Sequence, residues 1–238
     1  MTSLDLAVTL FLNQFVQRSW TFDAFMVYFA SSNLAKGYVI LPLLWWAWFR
    51  KESTEHDRAT IVSLLMACLL AVAISQLAQY KPLRVRPLFI PELHLKHAER
   101  LQEWHYAPWS SFPSDHATFF FSLAVGLFFV SRPLGYLALA HAVLVISLPR
   151  VYLGLHYFTD IVAGAALGGS VTYALCASER IRARLGAWAT TWERSRPASF
   201  YALFFVLTMQ MTYLFFDAHE LALFLSELVK GVAGKLFH

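Results

Sequence analysis

A series of apolar runs, separated by short polar loops, constrains this chain more than any other feature. A helix needs about 20 mostly apolar residues to cross the hydrocarbon core of a bilayer. Inside lipid the backbone N–H and C=O groups must be paired, and a helix pairs them within one segment. The sequence therefore predicts an all-α fold, a polytopic membrane helical bundle with about six transmembrane helices. We place these helices at residues 34 to 49, 59 to 79, 113 to 130, 134 to 148, 158 to 177 and 199 to 216.

The composition excludes an ordinary soluble domain, because 58% of the residues are hydrophobic and only 14% are charged. The formal net charge is +4, and most basic residues fall in the loops between the apolar runs. This distribution suits lipid headgroups and phosphates better than nucleic acid. We therefore expect membrane lipids and no nucleic acid as partners, and the sequence carries no signature of an oligomeric state. Cys68 and Cys176 lie inside predicted helices, and we interpret them as apolar packing residues.

Amphipathic segments outside the spans, at residues 3 to 17 and 219 to 238, predict helices that lie in the membrane interface. Residues 80 to 113 form the longest polar stretch, and long loops of this kind are usually functional or disordered. Five of its side chains have spacings that suggest a metal site: His94, His97, Glu99, Glu103 and His105. The tryptophans and tyrosine among them favour instead an interfacial helical segment that shapes the lipid entrance.

The basic loops predict an orientation. Five arginines between residues 178 and 197 favour a cytoplasmic position for that segment. The helix order then places both termini, the loop at residues 80 to 113 and the loop at residues 149 to 157 on the opposite side.

A histidine and an aspartate, His156 and Asp160, lie at the start of the predicted helix at residues 158 to 177. Four residues apart, they share one helix face. An aspartate that accepts a hydrogen bond from one imidazole nitrogen fixes the tautomer and raises the basicity of the other nitrogen. The pair therefore predicts a nucleophile or a base, and a purely structural pair at the interface is the alternative.

The predicted helix at residues 113 to 130 begins with a second histidine motif. Pro113 suits a first helical turn, and Ser110 or Ser111 is a suitable cap. The free backbone N–H groups near residues 114 to 116 then point out of the membrane and form an anion site. His116 would stand beside the anion, where an imidazole can donate a proton to a leaving oxygen.

Four cations lie just beyond the predicted helices on the same side: Lys81, Arg84, Arg86 and Arg150. Any one of them could extend to lipid headgroups, as basic side chains near helix ends commonly do. Several loops that deliver cations and histidines to one membrane face favour a phosphate site instead. The planar arginine fork matches phosphate oxygens and stabilises the charge of a phosphoryl transition state.

Together these residues resemble the three signature motifs of the type 2 phosphatidic acid phosphatase (PAP2) superfamily. The matching residues are Lys81 with Arg86-Pro87, then Pro113-Ser114-Asp115-His116, then Arg150 with His156 and Asp160. The resemblance implies one PAP2-like transmembrane phosphatase domain over residues 1 to 238, with a motif core at residues 81 to 160. Residues 111 to 117, Ser-Phe-Pro-Ser-Asp-His-Ala, are also similar to bacterial undecaprenyl pyrophosphate phosphatases.

The resemblance implies a metal-independent lipid phosphatase without a cofactor. In that family's chemistry, His156 would be the nucleophile that forms a phosphohistidine, Asp160 would orient it, and His116 would protonate the leaving group. The phosphate would be bound by five residues: Lys81, Arg86, Ser114, Asp115 and Arg150.

Two departures from the family pattern concern the first and third motifs. The family usually has six residues between the lysine and the arginine of the first motif, and here four residues separate Lys81 from Arg86. A strict count places Gln79 at the lysine position, and Arg84 could share the role of Lys81. Pro149 stands where the family usually has serine, which removes a hydrogen bond worth about 1 kcal/mol.

The leading functional expectation is hydrolysis of undecaprenyl pyrophosphate to undecaprenyl phosphate and phosphate. Phosphatidic acid, phosphatidylglycerol phosphate and lipid A phosphate, removed or transferred, are alternatives within the enzyme class. A lipid-phosphate binding or transport protein is the alternative outside it, but binding needs only cations, not His156 with Asp160 opposite His116. We expect the bacterial inner membrane, with the site facing the periplasm or exterior.

Overall fold

The computed structural model describes residues 2–37, 39–79, 84–99, 101 and 110–212. Every regular element in these ranges is helical, and they contain no strand, which confirms the all-α class. The elements are α1 (Ser3–Asn13), α2 (Trp20–Ser31), α3 (Asn33–Gly37), α4 (Ile40–Phe49), α5 (Glu55–Gln79), α6 (Asp115–Val130), α7 (Arg132–His141), α8 (Leu148–Tyr152), α9 (Phe158–Ala177), α10 (Glu179–Ser195) and α11 (Pro197–Thr212). Two 3₁₀ turns, Pro87–Phe89 and Pro91–Leu93, follow α5, and a π-helical segment, Ala142–Ser147, joins α7 to α8.

Three helices within the described residues are long and apolar enough to cross a membrane: Glu55–Gln79, Arg132–Tyr152 and Phe158–Ala177. They correspond to the predicted spans at residues 59 to 79, 134 to 148 and 158 to 177. Helices α6 and α11 are apolar but have 16 residues each, and 16 residues extend only about 24 Å. The predicted set of six transmembrane helices is therefore confirmed for three.

The predicted first span, residues 34 to 49, is divided between the short helices α3 and α4. Gly37 ends α3, and glycine commonly ends helices because it adopts the required backbone angles without strain. Neither helix reaches a spanning length. The predicted interfacial tail at residues 219 to 238 lies outside the described residues, as does most of the loop at residues 100 to 109.

The core is formed where α5, α6 and α9 pack together, with α7 and α10 against their outer sides. A Cβ atom on Gly164 would lie 2.4 Å from the carbonyl oxygen of Ser114, and one on Gly168 would lie 2.0 Å from that of Thr118. Only glycine permits this approach of the α6 and α9 backbones. Cys68 and Cys176 are buried and free, as predicted for packing residues.

Helix α1 turns its polar face toward the protein. Asp5, Thr9 and Asn13 are buried at helical spacing, whereas Leu10 and Phe11 are exposed. Asn13 exchanges two hydrogen bonds with the backbone of Lys96, at 2.9 and 2.8 Å. The helix thus covers the segment that follows α5 and leaves an apolar surface outside, consistent with a helix that contacts lipid.

Candidate active site

The three predicted motifs meet at the end of the bundle where α5 ends and where α6 and α9 begin. The amide of Ser114 donates to the carbonyl oxygen of Asp160 at 3.1 Å, which joins the second motif to the third. Leu88 donates to the carbonyl oxygen of Gly154 at 2.9 Å, which joins the first motif to the third. The structure therefore brings together Arg86, Ser114, Asp115, His116, Arg150, His156 and Asp160. Lys81 lies outside the described residues.

His156 is only 3% exposed and lies in the turn between α8 and α9. Its Nδ1 atom lies 2.8 Å from the carbonyl oxygen of Ser111. A carbonyl oxygen can only accept, so Nδ1 carries the proton and Nε2 keeps its lone pair. Burial lowers the pKa of His156, and the charge of Arg86 lowers it further. The imidazole is thus held neutral, in the tautomer that a nucleophile requires.

Arg86 points its guanidinium at that lone pair. Its Nη1 atom donates to the carbonyl oxygen of Leu155 at 2.8 Å and lies 3.1 Å from Nε2 of His156. The side chain is buried, just before the 3₁₀ turn that Pro87 begins. A phosphate bonded to Nε2 would therefore lie beside this guanidinium.

Asp160 lies beside His156 but makes its close contacts elsewhere. Its Oδ2 atom accepts from the amide of Tyr157 at 2.8 Å and is 3.8 Å from Nδ1 of His156. Its Oδ1 atom accepts from Arg84 at 2.5 Å. The carboxylate is therefore near enough to stabilise positive charge on the imidazole. The ring is oriented instead by the hydrogen bond that its Nδ1 atom donates to the carbonyl oxygen of Ser111.

Arg84 bridges two buried carboxylates. Besides Asp160, its guanidinium donates to Asp5 of α1 at 2.5 Å. Asp5 is fully buried and also accepts from the amide and the hydroxyl of Thr159, both at 3.0 Å. Burial raises the pKa of Asp5, but hydrogen bonds from Thr159, Thr2 and Arg84 outweigh it and hold the pKa well below its usual range.

The sequence patterns do not indicate Asp5 as a residue of this site. Its partner Thr159 is 154 positions away along the chain. The sequence feature that could have indicated Asp5 is the polar face that it forms with Thr9 and Asn13 on an otherwise apolar helix.

His116 lies in the first turn of α6. Its Nδ1 atom is 2.9 Å from Oδ1 of Asp115, which also accepts from the His116 amide at 2.8 Å. Asp115 thus accepts hydrogen bonds from His116. Its negative charge would repel a phosphate placed beside it. Because a carboxylate can only accept, Nδ1 carries a proton, and Nε2 is directed away from Asp115.

The helix cap at this end differs from the prediction. Helix α6 begins at Asp115, and the hydroxyl of Ser114 accepts from the amide of Ala117 at 3.4 Å. Neither Ser110 nor Ser111 is the cap, and Pro113 precedes the helix. The expectation was wrong because the hydroxyl of Ser110 bonds the backbone of Phe112 instead.

Arg150 follows the π-helical segment and is only 3% exposed. It donates to the carbonyl oxygen of Ile146 at 2.8 Å, and Pro149 lies in the first turn of its short helix. The chain then reverses at Gly154, whose φ of +69° favours glycine. The amides of Leu155 and His156 donate back to the carbonyl oxygen of Arg150 at 2.9 and 3.3 Å. This turn places the histidine close to the arginine.

In the described part of the chain, no three His, Cys, Asp or Glu side chains gather as a metal site. Glu103 and His105, which the sequence suggested as ligands, lie outside it.

Comparisons with known proteins identify the family of this chain. A family model, the PAP2 superfamily, matches residues 60–184, which is more than half of the chain. The protein named bacitracin transport permease protein BcrC, from Bacillus licheniformis, is 41% identical over 59 residues, 25% of this chain and 29% of BcrC. The match thus spans less than a third of that relative. The crystal structure of Aquifex aeolicus LpxE is 25% identical, with a TM-score of 0.48, and covers 73% of this chain and 94% of that one.

Proposed function

This chain belongs to the PAP2 superfamily, and from that premise we propose that it is an integral membrane lipid phosphatase that acts through a phosphohistidine on His156. The observation that supports this proposal most directly is the environment of the two ring nitrogens of His156. Its Nδ1 atom is fixed by Ser111 at 2.8 Å, and its Nε2 atom lies beside Arg86 at 3.1 Å. A guanidinium buried beside a neutral imidazole is costly, and a phosphate bound at Nε2 would balance its charge.

In the first step, the Nε2 lone pair of His156 forms a bond to phosphorus, and the bond from phosphorus to the leaving oxygen breaks. His116 gives its Nε2 proton to that oxygen. Arg86 and Arg150 bind the equatorial oxygens, where charge develops. We assign Asp115 to the orientation of His116, instead of the phosphate contact that the resemblance implied, because its carboxylate accepts from that ring.

In the second step, water attacks the phosphohistidine. An oxygen–phosphorus bond forms, the phosphorus–nitrogen bond breaks, and its electron pair returns to His156. His116 takes the proton of the water, so the site returns to its starting state. Asp160, 3.8 Å from Nδ1, stabilises the positive ring between the two steps. Each of these roles is performed without a metal or a cofactor.

The proposed substrate is undecaprenyl pyrophosphate, released as undecaprenyl phosphate and phosphate. The support is the sequence at residues 111 to 117, which includes the carbonyl of Ser111 that orients His156. Phosphatidic acid, phosphatidylglycerol phosphate and lipid A phosphate are the alternative substrates.

A second candidate is binding or transport of a lipid phosphate without turnover. It is favoured by the name of the relative from Bacillus licheniformis, a transport permease.

The proposed location is a bacterial inner membrane, with the site on the periplasmic or exterior face. Helix α9 carries Asp160 at its start, and five arginines follow its end, four of them in α10 and the fifth, Arg196, just after it. Positive charge favours the cytoplasmic side, which supports a site on the opposite face.

The test is phosphate release by the purified protein in detergent with EDTA present, on undecaprenyl pyrophosphate and phosphatidic acid in parallel. We expect turnover by the wild type and none by His156→Ala. His56→Ala is the matched control, because His56 is exposed at the start of α5, the other end of that helix from the site. A rapid quench with substrate labelled at the transferred phosphate should trap an acid-labile label on the wild type alone. Absence of both label and release would favour binding or transport.

A further inference from the structure

The N-terminal helix α1 brings a carboxylate to the charged groups around Asp160, from outside the residues that match the family model. Helix α1 packs against α8 and α9, the elements on either side of His156. Its Asp5 is fully buried, and so is Asp160. A buried carboxylate is costly unless it is paired and hydrogen-bonded. The stability of the Asp5 charge therefore depends on its partners at the site.

Arg84 connects the two carboxylates. Its Nη1 atom donates to Oδ1 of Asp160 at 2.5 Å, and its Nη2 atom donates to Oδ2 of Asp5 at 2.5 Å. The central carbon of the guanidinium lies 4.0 Å from the centroid of the Tyr157 ring. One guanidinium is thus shared between two carboxylates, and the three groups together carry one excess negative charge.

Thr159 holds Asp5 against the start of α9. Its amide donates to Oδ1 of Asp5 and its hydroxyl donates to Oδ2, both at 3.0 Å. Nη1 of Arg84 also donates to that hydroxyl oxygen, at 2.8 Å. Asp5 therefore fixes both the residue that precedes Asp160 and the arginine that binds Asp160.

The sharing of Arg84 leaves one oxygen of Asp160 for the imidazole. Oδ2 of Asp160 accepts from the amide of Tyr157 at 2.8 Å and lies 3.8 Å from Nδ1 of His156, while Arg84 binds the other oxygen. A guanidinium can bind both oxygens of one carboxylate in a bidentate pair. Without Asp5, Arg84 would be free to pair with Asp160 in this way and to neutralise the charge that faces His156.

We propose that Asp5 is a positioning residue of the active site, which shares Arg84 with Asp160 so that Oδ2 of Asp160 keeps its negative charge toward His156. The inference rests on the proposed function, in which Asp160 stabilises the positive ring of the phosphohistidine. Asp5 then acts on the reaction through Asp160, and α1 completes the active site. Removal of the Asp5 charge should lower kcat and leave KM almost unchanged, because neither carboxylate binds the phosphate.

The experiment is a double-mutant cycle of Asp5→Asn and Asp160→Asn, with kcat and KM measured on one lipid phosphate at a temperature well below the thermal midpoint of each variant. In the wild-type background, Asp5→Asn should lower kcat about 3- to 10-fold and change KM less than about twofold. In the Asp160→Asn background no carboxylate charge is left to preserve, so Asp5→Asn should change kcat less than about twofold.

Asn13→Ala is the matched control. Asn13 lies on the same buried face of α1 and exchanges two hydrogen bonds with the backbone of Lys96, but it carries no charge. Its removal should loosen α1 and leave kcat within about twofold of the wild-type value. The proposal would be overturned by equal effects of Asp5→Asn in the two backgrounds, or by an equal loss of kcat in Asn13→Ala, because Asp5 would then act only on the stability of the fold.

A second readout does not depend on turnover. The His156 ring is titrated by NMR in protein that contains isotope-labelled histidine, and His156→Ala identifies its signals. Loss of a negative charge beside an imidazole lowers its pKa. The measured pKa of His156 should therefore fall in Asp160→Asn, fall by a smaller amount in Asp5→Asn and stay constant in Asn13→Ala.

The other charged groups that act on the His156 ring, Arg86 and Asp115, are the same in all these variants. A His156 pKa that is unchanged in Asp5→Asn would contradict the proposal. If the wild type releases no phosphate from any lipid, the proposed function fails, and this titration still decides whether Asp5 preserves the charge that faces His156.

Discussion

The imidazole of His156 donates its Nδ1 hydrogen bond to the carbonyl oxygen of Ser111, at 2.8 Å. The second motif thus sets the tautomer of the third, through the backbone and independently of the Ser111 side chain. Asp160, the residue that the resemblance implied for this role, is 3.8 Å from the same nitrogen and is paired with Arg84.

This geometry predicts that Asp160→Asn is impaired but not inactive. The substitution removes a charge that stabilises the phosphohistidine ring, and it leaves the Ser111 hydrogen bond in place. We expect kcat to fall about 10- to 100-fold, while His156→Ala loses turnover entirely. Steady-state kinetics of the two variants under identical conditions measure the difference. An Asp160→Asn protein as inactive as His156→Ala would instead mean that the carboxylate orients the ring directly.

Asp5→Asn should destabilise the protein, because Arg84 and Thr159 would lose a buried acceptor. Breaking a buried pair by removing one partner costs about 3 kcal/mol, so the thermal midpoint in detergent should fall by several degrees. Glu52→Gln, at an exposed carboxylate before α5, is the matched control. Equal midpoints for the two variants would contradict a structural role for Asp5.

The pH dependence of this contribution has a definite sign. The pKa of Asp5 is lower in the folded protein than in the unfolded chain. Asp5 therefore contributes its full stability above about pH 4, and loses it as the pH falls through the folded-state value. The midpoint difference between wild type and Asp5→Asn should be constant from neutral pH to about pH 5 and shrink only in stronger acid. A difference that grows toward low pH would be inconsistent with this account.

Local sequence patterns predicted the parts of this protein that depend on neighbouring residues. The apolar run at residues 158 to 177 forms α9 as expected, and Gly164 and Gly168 allow the close helix contact that their spacing indicates. The motif residues that the structure describes also lie together, and their spacing in the sequence made them recognisable. The role of Asp5 was not predicted, because its partners lie far along the chain. Residue spacing marks the polar face that Asp5 shares with Thr9 and Asn13, but it does not identify the hydrogen-bond partners of Asp5, which are 79 and 154 positions away.

The N-cap of α6 shows a different limit of prediction from the sequence. Ser110, Ser111 and Ser114 are all chemically suitable caps, and residue type alone does not choose among them. The choice is made by tertiary contacts. The amide of Ser114 donates to the carbonyl oxygen of Asp160 at 3.1 Å, and the helix starts at Asp115, two residues after its predicted start.

Gly168→Ala should destabilise the bundle at the contact between α6 and α9. The added methyl group would lie 2.0 Å from the carbonyl oxygen of Thr118, a backbone atom that cannot rotate away. We expect a cost of about 2 kcal/mol or more, together with lower activity because α6 carries His116. The neighbouring Gly169→Ala is the control, since its methyl group would meet only Val125 at 3.5 Å. It should be neutral or slightly stabilising, as alanine favours helices. Similar midpoints for the two variants would show that the helices separate at little cost.

The acidic limb of the pH profile should lie below the ordinary range of histidine. Burial and the charge of Arg86 lower the pKa of His156, so the ring stays neutral and nucleophilic as the pH falls past about 6.5. The profile of kcat/KM reports groups of the free enzyme and the free substrate, and a phosphate monoester itself titrates near pH 6. Measurement with two substrates whose phosphate pKa values differ separates the contributions, because the limb that belongs to His156 does not move between them. An enzyme-borne limb at or above pH 6.5 would mean that burial and the charge of Arg86 do not lower the pKa of His156.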